Sequence, residues 1–177
     1  VHLQPLLQQV DVLTPNLLEA QHLAQLLEVV AVATLAKKLY DDFAIHSIII
    51  KGGHSESELE SSDYCYHQLN QLPGKQDNQD KIQMAISYQL SARRSASHYS
   101  HGGGCSFASA LSAFLAHGYL VRDALTLAKA FISQGLSASE SVSKSFGHQY
   151  YGAFEQQGWP HQADFFPHVV DELSKKY

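Results

Sequence analysis

The sequence predicts an α/β fold, because short apolar runs typical of buried strands alternate with segments of helical periodicity. One run, residues 10–13, stops at a Thr-Pro-Asn turn, and a β-branched run, residues 46–51, stops at two glycines. Between these runs, apolar residues recur at helical spacing over residues 17–27 and again over residues 32–42. Strand, helices and strand form a right-handed crossover unit, which predicts that the two strands pair in parallel.

The remaining elements follow from the same patterns. Residues 82–88 alternate between apolar and polar side chains, which predicts a half-buried strand. Residues 106–117 carry one apolar face with Gly118 as a stop, which predicts a helix. The other predicted elements are a leading helix at 3–10, strands at 64–66 and 92–99, a helix at 120–133 that ends near Gly135, and a short terminal helix at 167–176.

Length and composition predict one domain, because 177 residues with 45% hydrophobic content can bury a core. We expect a single, partial domain over residues 1–177. Within it, residues 55–91 are interpreted as a loop and strand region with an insertion, and residues 146–177 as an irregular tail. Four acidic residues of the first region are predicted to be solvated: Glu56, Glu58, Glu60 and Asp63.

Charge and cysteine content narrow the functional class. The net charge of −5, the pI of about 6.1 and the lack of a basic cluster argue against nucleic acid as a partner. Two cysteines cannot form a disulfide framework, so a reducing cytoplasm is expected. No apolar stretch reaches the roughly 18 residues of a membrane span. We therefore expect a cytoplasmic protein that acts on a small molecule without a membrane, and a homodimer is left open.

The most informative segment is Ser-His-Gly-Gly-Gly-Cys at residues 100–105, directly before a predicted helix. Glycines allow close approach of the backbone to a ligand, and the first helical turn presents N–H groups that lack intrahelical acceptors. Such a helix start favours a bound phosphate and the thiolate form of a cysteine placed there. The segment is thus either an anion cradle with Cys105 as a candidate base, or a flexible turn with Cys105 as a small buried residue.

Two further loops follow the predicted parallel strands, one with Asn16 and Glu19 and the other at residues 51–54. In an open parallel sheet, ligands bind beyond the carboxyl ends of the strands, so we expect these loops and the glycine segment to share a crevice. Asn16 and Glu19 have the spacing to hold a hydrated Mg²⁺. The same spacing fits a capping box at the start of a helix, and the sequence leaves both interpretations open.

Three motifs follow one another along the chain: Leu-Thr-Pro-Asn-Leu-Leu-Glu-Ala at 13–20, Lys-Gly-Gly-His at 51–54 and the glycine segment at 100–105. Together they resemble the carboxyl-terminal half of the hydroxymethylpyrimidine/phosphomethylpyrimidine kinases. These enzymes are thiamine-biosynthesis members of the ribokinase-like superfamily. The resemblance covers about residues 8–150.

The resemblance implies a ribokinase-like three-layer α/β/α sandwich that lacks its amino-terminal part. It implies ATP-dependent phosphoryl transfer to hydroxymethylpyrimidine and its monophosphate, with ATP and Mg²⁺ as cofactors and this chain carrying the ATP-phosphate half. Cys105 takes the place of the catalytic residue. The other implied residues are an anion hole of Gly102, Gly103, Gly104 and Cys105, a Mg²⁺ site through water at Asn16 and Glu19, and a nucleotide-binding loop of Lys51, Gly52, Gly53 and His54.

The chain departs from the family pattern in two ways. Gly103 stands where the family has a threonine, and no segment matches the amino-terminal half that grips the pyrimidine. We therefore expect a kinase without its substrate half. Two alternatives stay open: a pyridoxal-type vitamin kinase or non-catalytic nucleotide-binding relative, and a hydrolase that pairs Cys105 with His101 or His54.

Overall fold

The computed structural model describes residues 3–26, 28, 30–52, 59–69, 84–94, 102–138, 159–160 and 162–170. The chain groups into two compact units. The first comprises Val1–Ser55, Ser62–Leu90 and Val169–Tyr177, and the second comprises Glu56–Ser61 and Ser91–His168. The single domain over residues 1–177 stays a prediction.

The described residues form a mixed sheet, most of which belongs to the first unit. Among the described residues its strands follow the order β1 (Val12–Leu13), β2 (Ser47–Ile50), β3 (Glu60–Leu69), β4 (Met84–Arg93) and β5 (His168–Val170). β1 pairs with β2 in parallel, as the crossover unit predicts, and β2 pairs with β3 antiparallel. All four side chains of β2 are buried, which explains its unbroken run of isoleucines.

Three helices of the first unit accompany the sheet: α1 (Gln4–Leu7), α2 (Leu17–Leu23) and α3 (Val32–Phe43). α2 is shorter than predicted, because Gln25 takes a left-handed conformation (φ 54°) just after the last turn. α3 is amphipathic and ends at the left-handed Ala44. Its buried residues Leu35, Ala36 and Leu39 form a core with Ile45, Ile48 and Ile50 of the sheet side.

The structure differs from the sequence-based predictions for two strands and for the terminal helix. β3 is longer than the predicted 64–66, and β4 runs through Ala92 and Arg93, so no separate strand begins at residue 92. The predicted terminal helix is wrong over His168–Val170, which form β5 next to β4, because β-branched valines after a proline favour extended backbone. Residues 95–99 and 171–176 lie outside the described residues.

The second unit contains two packed helices, α4 (Gly103–Ala116) and α5 (Val121–Ala138), and a short 3₁₀ helix, Ala163–Phe165. α4 begins at Gly103, three residues before the predicted start, and ends before Gly118 (φ 88°), as predicted. α5 runs past Gly135, where its end was expected. Gln134 and Gly135 are buried, so packing of this turn outweighs the low helix propensity of glycine.

Apolar packing holds the second unit together. Ala124, Leu125 and Ala128 of α5 are fully buried, on the face that the periodicity predicts. Phe114 of α4 makes edge-to-face contacts with Tyr119 and with Trp159, whose ring centroids lie 5.8 and 5.6 Å away. In the described ranges, no helix is long and apolar enough to span a membrane.

Candidate functional site

Asn16 and Glu19 form a capping box at the start of α2. The Oδ1 atom of Asn16 accepts the backbone N–H of Glu19 at 2.8 Å, and the Oε2 atom of Glu19 accepts the backbone N–H of Asn16 at 2.7 Å. The structural interpretation of this pair is therefore correct. It leaves the metal interpretation open, because Glu19 is exposed and the capping box uses only one of its carboxylate oxygens.

Lys51 lies beside this capping box. The parallel pairing of β1 and β2 continues as a bridge between Asn16 and Lys51, and the Lys51 N–H donates to the Pro15 carbonyl at 2.9 Å. The structure thus brings two of the three predicted loops together at the carboxyl ends of neighbouring parallel strands. Gly53 and His54 lie outside the described residues.

Gly52 has a partner that the sequence did not reveal. Its backbone N–H donates to the Oδ1 atom of Asp63 at 2.9 Å, and Asp63 is only 5% exposed. The prediction that Asp63 is solvated is wrong, whereas Glu60 is exposed as expected. A signal existed in the sequence: Asp63 directly precedes the Tyr-Cys-Tyr run of a predicted strand, where one face must be buried.

An open cavity of about 320 Å³ adjoins the Lys51–Gly52 turn within the first unit. Its wall combines apolar side chains with a few polar groups, a composition typical of small-molecule sites. The wall includes Leu17, Val32, Ile50, Lys51, Tyr64 and Gln89. Lys51 is the residue that joins this cavity to the bridge with Asn16.

The glycine segment forms the start of α4 in the second unit. Gly102 is the residue before the helix and takes a left-handed conformation (φ 83°, ψ −9°), and its carbonyl accepts the first helical bond from Ser106 at 2.8 Å. No side chain of the described residues caps this helix start. The N–H groups of Gly103, Gly104 and Cys105 therefore have the arrangement that an anion cradle requires.

Cys105 lies exposed in the first turn of α4, so the alternative that it is a small buried residue is wrong. The other cysteine, Cys65, is buried on β3. His101, the proposed partner of Cys105 in a hydrolase, lies outside the described residues. Within the described part of the chain, no group of three or more His, Cys, Asp or Glu side chains is arranged to hold a metal ion.

Comparison with known proteins decides the family. A family model described as phosphomethylpyrimidine kinase matches residues 2–150. The chain belongs to this family. The family consists of kinases, which removes the reason to consider a Cys/His hydrolase.

Curated relatives and solved structures agree with this family. The hydroxymethylpyrimidine/phosphomethylpyrimidine kinase of Haemophilus influenzae is 29% identical over 155 residues, which cover 86% of this chain and 52% of the relative. The chain spans about half the length of the curated relatives it matches. Staphylococcus aureus pyridoxal kinase in complex with pyridoxal is similar with a TM-score of 0.70 and 27% identity, covering 94% of this chain and 54% of that one.

A second structure of that S. aureus enzyme, in complex with ADP, is similar with a TM-score of 0.69 and 28% identity, over 93% of this chain and 52% of that one. The predicted α/β class and the ribokinase-like fold are therefore confirmed. By their names these relatives are pyrimidine kinases and pyridoxal kinases, and the S. aureus pyridoxal kinase has been solved with pyridoxal and with ADP.

Proposed function

We propose that this chain carries the ATP-phosphate half of a kinase that phosphorylates hydroxymethylpyrimidine and its monophosphate in thiamine biosynthesis. Family membership supports the kinase class. The observation that carries the proposal is the bridge between Asn16 and Lys51, which joins two sequence motifs at the end of a parallel strand pair. This is the place where open α/β sheets bind ligands.

In this proposal the first unit binds the nucleotide phosphates. The Lys51 ammonium attracts the phosphate oxygens, and Gly52, with Gly53 and His54, forms the nucleotide-binding loop. Asn16 and Glu19 would hold a hydrated Mg²⁺ through water, with the carboxylate oxygen of Glu19 that is not used by the capping box. Bound Mg²⁺ would neutralise phosphate charge during the transfer.

The glycine segment supplies the anion hole and the base. The N–H groups of Gly103, Gly104 and Cys105 stabilise the negative charge of the transferring phosphoryl group. Cys105, as the general base, accepts the proton of the substrate hydroxyl while the hydroxyl oxygen bonds to the γ-phosphorus. At the same time the bond between the γ-phosphorus and ADP breaks, and ADP leaves with its electron pair. The exposure of Cys105 supports this role.

The alternative acceptor is pyridoxal. The similarity to S. aureus pyridoxal kinase supports it, because that enzyme has been solved with pyridoxal. A pyridoxal kinase and a pyrimidine kinase share the ATP-phosphate chemistry and differ in the acceptor. A non-catalytic nucleotide-binding relative is the second alternative. A cytoplasmic location and a homodimer also stay predictions.

Titration of the chain with ATP and Mg²⁺ in a calorimeter tests the nucleotide site first. ATP binding by this chain would support the nucleotide site, and absence of ATP binding would contradict the whole proposal. Turnover is then compared between hydroxymethylpyrimidine and pyridoxal in a complete version of the kinase that also has a substrate half, where ATP binding without turnover of either acceptor would support the non-catalytic alternative. The faster acceptor decides between the pyrimidine and pyridoxal branches.

The role of Cys105 is tested with two cysteine variants. In a complete version of the kinase with its substrate half, we expect Cys105→Ala to lower the turnover rate by about 100-fold or more while ATP binding persists, since a positioned base contributes this much. Cys65→Ala is the matched control, because Cys65 is the buried cysteine on β3. Equal turnover in Cys105→Ala and in the unmodified complete kinase would remove Cys105 from the mechanism.

A further inference from the structure

The β2–β3 ladder ends in an unusual way at the Lys51–Gly52 turn. Regular antiparallel pairing runs from Ser47 opposite His67 to Ile50 opposite Tyr64. Beyond this point, the Gly52 N–H donates to the side chain of Asp63. A carboxylate has replaced a backbone carbonyl as the acceptor, so the chain can leave the strand without losing a hydrogen bond.

The Lys51–Gly52 turn also contacts the residues that follow β1. The Lys51 N–H donates to the Pro15 carbonyl at 2.9 Å, and Lys51 forms the bridge with Asn16. Gly52 also packs against backbone, since a Cβ atom at this position would lie 1.8 Å from the Ser62 carbonyl oxygen. Two hydrogen bonds and one close contact therefore determine where the Lys51 backbone lies.

A buried carboxylate is unfavourable unless it is satisfied, and Asp63 is only 5% exposed. Hydrogen bonds to charged groups are shorter and stronger than those between neutral groups. The hydrogen bond from the Gly52 N–H thus stabilises the Asp63 carboxylate and also orders the Lys51–Gly52 turn. An uncharged residue of similar size would fill the space but would hold the amide less firmly.

We propose that Asp63 is a positioning residue for the phosphate-binding turn. Its carboxylate holds the Gly52 amide and so keeps Lys51 beside Asn16 in the geometry that binds the nucleotide phosphates. Asp63 acts through Gly52 and does not touch the nucleotide. The claim that the turn binds a nucleotide rests on the proposed function. The claim about geometry rests on the observed hydrogen bond between Gly52 and Asp63.

Three variants test the proposal: Asp63→Ala, Asp63→Asn and the control His67→Gln. Asp63→Asn keeps an acceptor oxygen without the charge. His67 is a second buried polar residue of β3, opposite Ser47 and away from the turn. All three are compared with the unmodified chain for folding, by circular dichroism and by the urea midpoint.

The first measurement is ATP affinity with Mg²⁺. We expect Asp63→Ala to weaken ATP binding about tenfold or more, because a hydrogen bond to a charged group is lost. Asp63→Asn should recover most of the affinity, and His67→Gln should bind as the unmodified chain does. Equal affinity in Asp63→Ala and the unmodified chain, or equal losses in Asp63→Ala and His67→Gln, would overturn the proposal.

The second measurement does not depend on the nucleotide. The Gly52 amide is followed by ¹⁵N NMR, and the rate at which an amine-selective reagent labels Lys51 is followed by mass spectrometry. Asp63→Ala should move the Gly52 resonance and change the Lys51 rate, with Asn as partial rescue and no change in His67→Gln. If the unmodified chain binds no ATP, the proposed function fails while these readouts still test Asp63. An unchanged Lys51 rate in Asp63→Ala would overturn the positioning role.

Discussion

The chain uses glycine for two different physical reasons in its two candidate phosphate segments. Gly52, in the first unit, leaves no room for a side chain, since a Cβ atom would lie 1.8 Å from the Ser62 carbonyl oxygen. Gly102, in the second unit, has no neighbour among the described residues within 4 Å of such an atom but holds φ at 83°. Glycine is required at position 52 because the Ser62 carbonyl of another strand occupies the space of a side chain. Glycine is required at position 102 because the backbone takes a positive φ there.

This difference determines how each segment is held. The Gly52 turn depends on residues of another strand, through the hydrogen bond to Asp63 eleven positions away. The Gly102 segment depends on the local hydrogen bond from Ser106 and on the helix that follows. A substitution in the first segment should therefore disturb a sheet, whereas a substitution in the second should disturb one helix end.

The largest effect is expected for Gly52→Ala. The added methyl group overlaps the Ser62 carbonyl, so the ends of β2 and β3 must separate, and the hydrogen bond to Asp63 is strained. We expect the free energy of unfolding to fall by about 3 kcal/mol, measured by urea denaturation. Nucleotide affinity should fall with it if the turn binds phosphate.

The matched control for this change is Gly103→Ala, which adds the same methyl group at a position where the part of the chain that the structure describes places no neighbour within 4 Å. Similar losses in the two variants would mean that crowding is not what distinguishes the segments. Retention of full stability in Gly52→Ala would show that the β2–β3 end adapts easily, which would also weaken the case for Asp63 as a positioning residue.

A smaller effect is expected for Gly102→Ala. The left-handed conformation at the start of α4 is unfavourable for alanine, so unfolding should become easier by about 1–2 kcal/mol. Gly118→Ala is the control, because Gly118 has a similar φ of 88° and equally open surroundings at the other end of α4. Chemical denaturation of both variants should give similar losses of stability.

Measurement of ATP binding distinguishes the Gly102→Ala variant from the Gly118→Ala variant. If the glycine segment is an anion cradle, Gly102→Ala should weaken ATP binding while Gly118→Ala leaves it unchanged. Equal affinity in both variants would indicate that the left-handed glycine at position 102 only ends a loop. The pair therefore distinguishes a ligand-binding helix start from an ordinary helix boundary.

The parts of the fold that were predictable are those that depend on local pattern. The β-branched run before Gly52 predicted β2, and the apolar spacing predicted α3 and α4, because burial on one face imposes these periods. The spacing of Asn16 and Glu19 likewise anticipated the capping box. In each case the partners lie within a few residues of one another.

The parts that were missed depend on distant partners. The acidic residues near Asp63 in the sequence predict a solvated loop, yet the Gly52 turn determines its surroundings. Gly135 predicts a helix end, although burial keeps α5 helical beyond it. The sequence pattern predicts a helix where β5 lies, because the strand that pairs with β5, β4, is distant in the sequence and leaves no local signal. Amino-acid composition and hydrophobic periodicity carry no information about packing partners that are distant in the sequence.

The smallest effect, and the sharpest use of the comparison, concerns Gly103. Its backbone does not require positive φ and its surroundings are open, so alanine should be tolerated with a change of at most about 1 kcal/mol, in the stabilising direction. ATP affinity should stay within about twofold, because the cradle uses N–H groups that both residues possess. Gly103→Thr, which introduces the residue expected from the family pattern, should behave in the same way in urea denaturation and calorimetry. A tenfold loss of ATP binding in either variant would mean that the ligand packs against Gly103 itself, and the second segment would then resemble Gly52 in needing glycine for space.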